Sequence, residues 1–139
     1  MTQPTPLDYQ TALIYIMVLS AAVDGDMSDR EMMTMGSMVE RLPVFDGFEK
    51  EKLPQEAESC VSYLNGEAAL DDVLTMIGEA LPKKLVETAY AVACQIVACD
   101  KKAGQEELRL LEMIRHKFGI DRLVAAAIER GIAVLNRTL

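Results

Sequence analysis

Carboxylates crowd the stretch from Asp24 to Glu31, which reads D-G-D-M-S-D-R-E and packs three aspartates and a glutamate into eight residues. An altered version recurs from Asp100 to Glu107. Carboxylate oxygens suit hard cations such as Ca²⁺, Mg²⁺ or Mn²⁺, and the residues placed to ligate one are Asp24, Asp26, Glu31, Asp100 and Glu107. A single turn falls short of the roughly six to eight oxygens that Ca²⁺ collects. The stretch also fails as an EF-hand loop: Asp29 stands where the glycine belongs and Met35 where the bidentate glutamate belongs. The same residues have a second reading as helix caps. Ser28 followed by Glu31 spells a capping box, and Glu107 holds the equivalent place after Gly104. Asp29 and Glu106 complement helix N-terminal dipoles.

Other reactive side chains are few. Cys60, Cys94 and Cys99 form no C-x-x-C pair and leave at least one thiol unpaired, so they read as reduced core residues. The single histidine, His116, is not placed beside any of them by sequence and reads as a surface helix residue. The expectation is a protein that is not an enzyme; a hydrolase would need Asp24, Glu31, Asp100 and Glu107 to converge in one cleft.

The elements that must position these turns are helices. Of the 139 residues 50% are hydrophobic but 5% aromatic, with nine Met and no Trp, so Ala, Leu, Ile, Val and Met must fill the interior. Twenty-two acidic against 14 basic residues give a net charge of -8, which repels nucleic acid phosphates and anionic membrane surfaces. No nucleic acid partner and no direct membrane insertion are therefore expected; the charge would attract cations or a basic protein patch, or serve solubility alone. The apolar run from Thr11 to Val23 has no Lys or Arg before it, so it is not an export signal, and it is too short for a bilayer. A cytoplasmic location follows as the expectation.

Thr5 as N-cap, Pro6 at the first helical position and Asp8 three after the cap start the first helix, which runs to about Val23. Ala12 to Leu19 carries no charge on any face, so this helix belongs at the centre of the fold. A second helix starts at Ser28, carries Met32, Met35, Met38, Val39 and Leu42 as one apolar stripe, and ends before Pro43; the stripe reads as core filling, with an adaptable binding groove as the alternative. Asp46-Gly47 marks a turn. Helices from about Pro54 to Leu64 and from about Glu67 to Ala80 follow, the latter with Ala69, Val73, Met76, Ile77 and Ala80 inward. Pro82 opens a second central helix ending at Cys99. Helices from about Gln105 to Lys117 and from Asp121 to about Asn136 complete the chain, separated by the stop Phe118-Gly119.

A shift of 76 positions carries Asp24 onto Asp100 and Glu31 onto Glu107. The same shift lays Met32, Met35, Met38 and Leu42 on Leu108, Leu111, Ile114 and Phe118, and Ile14, Val18 and Ala21 on Tyr90, Cys94 and Val97. The expected fold is an all-α, single-domain bundle of about seven helices spanning residues 1–139. It is built from two related helix-turn-helix units, about 6–42 and 82–119, around two central apolar helices.

The run from Ala21 to Ser28, with Glu31 beyond it, resembles the pattern of the tellurite-resistance TerB family and its TerB-like relatives. The second unit, Ile96 to Asp100 with Glu107 and the closing Phe118-Gly119-Ile120, supports the likeness, although Lys101 and Lys102 stand where the first turn has Gly25 and Asp26. The resemblance implies an all-helical cytoplasmic bacterial domain, linked to tellurite resistance and stress responses, with acidic residues proposed to bind metal. It carries over to Asp24, Glu31, Asp100 and Glu107. The function expected is a non-enzymatic module acting by protein contacts and by weak divalent binding at the acidic turns. The alternative is a structural domain that forms a homodimer or binds a partner, with no metal site.

Overall fold

The computed structural model describes residues 7–23, 27–65, 69–99 and 104–139. Among the described residues seven helices make up the bundle: α1 (Tyr9–Ala22), α2 (Asp29–Arg41), α3 (Leu53–Asn65), α4 (Leu70–Ala80), α5 (Val86–Cys99), α6 (Gln105–Lys117) and α7 (Arg122–Leu135). Short 3₁₀ turns at Pro43–Phe45, Lys50–Lys52 and Lys83–Leu85 join them, and no strand occurs among the described residues.

Every residue of α1 from Ala12 to Ala21 is buried. A helix with no polar face can only be stable when neighbours cover it all round. Here α3, α4 and α5 supply most of the cover, with α2 and α6 closing the remainder. The serine hydroxyl in this run, that of Ser20, donates to the Ile16 carbonyl at 2.8 Å. The second central helix, α5, packs on α1, α7, α2 and α6. Its burial is less complete, because Ala91 and Gln95 stay partly open on one side.

Three starts differ from the sequence expectation. Pro82 precedes the 3₁₀ turn Lys83–Leu85, and α5 itself begins at Val86. Asp8, not Thr5, caps α1: its backbone is extended and its carboxylate accepts from the Thr11 N–H at 2.7 Å. An extended Asp8 cannot sit inside a helix begun at Pro6, and Thr5 and Pro6 themselves lie outside the described residues. Ala69 is the exposed N-cap of α4 rather than part of its inner face, where Val73, Leu74 and Ile77 are buried and Met76 and Ala80 pack partly buried against the core. The inward stripe of α6 also rotates. Leu108 is 53% exposed, and Leu110 takes its place beside Leu111 and Ile114.

The connector is anchored by polar contacts. Gln10 on α1 donates to the carbonyls of Val44 and Asp46, at 3.2 and 2.9 Å, holding the turn that Gly47 makes with φ of 84°. At the end of α6, Gly119 adopts φ of 65°, its N–H reaching the His116 carbonyl and the Ile120 N–H the Arg115 carbonyl. This pairing is a Schellman stop, and it aims the chain into α7.

The shift of 76 positions lays α2 on α6 with identical bounds, Asp29–Arg41 on Gln105–Lys117. Buried Ile14, Val18 and Ala21 fall on buried Tyr90, Cys94 and Val97.

Candidate functional site

Of the five expected metal ligands, Asp24, Asp26 and Asp100 lie outside the described residues. Glu31 and Glu107 are described, and both are buried. Glu31 Oε1 accepts from the Ser28 N–H at 2.8 Å while Ser28 Oγ accepts from the Glu31 N–H at 3.1 Å, a complete capping box. Glu107 Oε2 accepts from the Gly104 N–H at 3.1 Å. Glycine has no side chain to return the bond, so this second cap is half of the first. Each carboxylate therefore faces the positive end of its own helix and satisfies an N–H that the helix cannot. Such a cap stabilises a helix by about 1 kcal/mol. Capping accounts for the burial of both charges. Among the described residues no group of three or more His, Cys, Asp or Glu side chains could hold a metal ion.

The thiols separate by depth. Burial pushes Cys60 up from its ordinary 9.0 to about 12. Burial also raises Cys94 to about 12, with Glu129 adding to the rise and a hydrogen bond from Tyr90 opposing it. Both are protonated at neutral pH, and a protonated thiol is a poor nucleophile. Cys99 is partly exposed, and its Sγ lies 3.1 Å from the Ile96 carbonyl. His116 is exposed beside Arg115, with Nε2 3.1 Å from the guanidinium.

A large concavity lies elsewhere. A groove of about 990 Å³ runs between α2, α5 and the C-terminal turns of α7. Its walls are mostly apolar: Met33, Met38 and Leu42 from α2, Ala91 and Val92 from α5, Ile132 and Leu135 from α7. Met38 is buried, but Met33 is 75% exposed and Leu135 81% exposed, both at the rim. A reciprocal amide pair bridges the floor. Gln95 Nε2 donates to Asn136 Oδ1 at 3.4 Å, and Asn136 Nδ2 donates to Gln95 Oε1 at 3.2 Å. Asn136 Nδ2 also reaches the Ile132 carbonyl at 2.8 Å, which fixes the end of α7 against α5.

Charge around this groove is one-sided. Arg30 and Arg41 line it and no carboxylate does. Sequence reasoning assigned Met32, Met35 and Met38 to the core: Met35 and Met38 are buried, and Met32 packs against the core partly buried. It missed Met33, whose signal was a large apolar side chain standing off the inward stripe. It also missed α7, where Ala125 is the one fully buried residue of a largely apolar helix. Among the described residues no helix is long and apolar enough to cross a membrane.

No family model matches the chain, and no curated protein or solved structure matches it either. The likeness to the TerB pattern thus stands on the residues quoted for it.

Proposed function

We propose that the chain is a non-enzymatic helical module that works by holding a helix of a protein partner in the groove between α2, α5 and α7. The observation that carries this reading is the exposure of Met33 and Leu135 at the rim of a large apolar concavity. Large side chains left in water beside such a surface mark interaction sites. Methionine suits the role because its flexible thioether adapts to different partner side chains. An open trough flanked by helices accepts an amphipathic helix through apolar anchors spaced i, i+3, i+4 and i+7. The resemblance to TerB proteins supports a setting in stress response, with tellurite resistance as its named instance.

Methyl NMR tests the groove. With ¹³C-labelled methionine methyls, a soluble amphipathic helical peptide of about fifteen residues with Leu at the anchor spacing is expected to shift Met33 and Met38. Met76 and Met113, outside the groove, should stay in place. Met33→Asp with Leu135→Asp should weaken binding about tenfold, since each change sets a carboxylate against the apolar stripe of the bound helix. Shifts spread over all the methionines, or none, would remove this reading.

Divalent binding at the acidic turns is a separate proposal, supported by the matched positions of Glu31 and Glu107 at the starts of α2 and α6. Calorimetric titration with Ca²⁺, Mg²⁺ and Mn²⁺ tests it. Heat that Asp24→Asn abolishes is the expected result, and no heat at millimolar metal defeats the idea.

A further inference from the structure

Resting on the groove as a helix-binding site, we infer that its occupant is an acidic amphipathic helix, with carboxylates at both ends of its apolar stripe about three turns apart. Arg30 and Arg41 are the groove's charged lining residues, one near each end of α2. Eleven positions separate them on α2. That spacing is about 16 Å along a helix and returns to nearly the same face. Both guanidiniums are exposed, and neither forms a salt bridge among the described residues. Glu40, the carboxylate next to Arg41, is engaged by Lys50.

Helix stability does not account for Arg30. It occupies the first turn of α2, where the positive end of the helix dipole disfavours a cation. The remaining polar groups of the lining are neutral hydroxyls and amides: Thr34, Ser37, Thr88, Gln95 and Asn136. A chain of net charge -8 thus lines this apolar groove with two cations and, among the described residues, no anion. The arrangement matches a ligand whose apolar stripe fills the trough and whose terminal carboxylates meet the two guanidiniums. Arg is suited to this because its planar fork holds a carboxylate through paired N–H donors.

Fluorescence anisotropy with three labelled peptides tests the charge assignment. They share one Leu stripe and differ only at the two ends, which carry Glu, Gln or Lys. The Glu peptide is expected to bind about five- to tenfold more tightly than the Gln peptide, as two exposed ion pairs would give, with the Lys peptide weakest. Added salt should shrink the difference. In Arg30→Glu with Arg41→Glu the order should reverse, and Arg30→Gln with Arg41→Gln should bring all three together. Both variants change exposed side chains, and circular dichroism confirms that they fold. Equal affinities for wild type, or an order unchanged by charge reversal, overturn the inference while leaving the groove reading intact if the Gln peptide still shifts Met33. Failure of the Gln peptide to bind at all removes the groove reading and this inference with it. Dimerisation that the charge-reversed variant abolishes would place a second copy in the groove and also overturn the assignment.

Discussion

Ile16→Ala lowers the stability of the protein by about 2–5 kcal/mol, the range for truncating a large aliphatic side chain in a closed core. Ile16 is fully buried midway along α1, the helix covered on every side. The lost methyl and methylene groups leave a cavity that the surrounding helices cannot collapse without giving up their own contacts. Total stabilities of domains run about 5–15 kcal/mol, so this one change consumes a large fraction. Leu123→Ala on α7 makes the contrast. Leu123 is 78% exposed, and its truncation should alter stability by no more than about 0.5 kcal/mol. Urea unfolding followed by circular dichroism measures both. Equal losses at the two positions would mean that α1 is not the element on which the fold is built.

The centrality of α1 was legible because an uncharged run has one structural solution. With no polar face to show to water, its neighbours must surround it. The start of α2 was legible for a different reason. Ser28 and Glu31 carry complementary side chains at a spacing that satisfies both backbone donors, and the two hydrogen bonds are present. The start of α1 was misread because Thr5 and Asp8 are both competent caps at capping distance from a helix. Asp8 forms the cap, and its charge-assisted bond to Thr11 N–H is stronger than a hydroxyl would make. In α6, Leu108, Leu110 and Leu111 are all apolar, so period alone could not select the inward two.

The groove was not legible at all. Its walls come from residues 30–42, 88–95 and 132–136, and nothing local records that these stretches meet. What the sequence did hold was the residue left over. Met33 lies off the stripe that Met35 and Met38 define, and α7 offers more apolar surface than a helix with one buried position needs. The acidic turns show the converse. Their Glu31 and Glu107 are occupied in capping, which moves the functional question for those turns onto Asp24, Asp26 and Asp100.

Stability falls steadily as the pH is raised from about 8 towards 12, and buried thiols and phenols are the cause. Cys60 and Cys94 titrate near 12 in the folded chain against an ordinary 9.0. Burial, followed by the neighbouring Cys60, Tyr63 and Glu56, also raises Tyr15 above its ordinary 10.0. Burial likewise raises Tyr90, together with Cys94 and Glu129. Once unfolded, the thiols lose their protons near 9 and the phenols near 10, while the folded state keeps them. In this window the unfolded state binds fewer protons, so each rise in pH favours unfolding; below about 8 all four groups are protonated in both states and add no slope. The groups form two clusters, Tyr15 with Cys60 between α1 and α3, and Tyr90 with Cys94 facing Glu129 of α7. Alkali should therefore loosen both seams of the bundle. Calorimetric melting from pH 7.5 to 11 reads the effect as a falling Tm. Cys60→Ala with Cys94→Ala should lower Tm at neutral pH through lost packing, yet flatten its decline between about pH 8 and 9, where the unfolded chain's thiols titrate ahead of its phenols. A slope unchanged in that variant would show that the thiols take no part. A Tm constant to pH 11 would show that none of the four groups is held protonated by the fold.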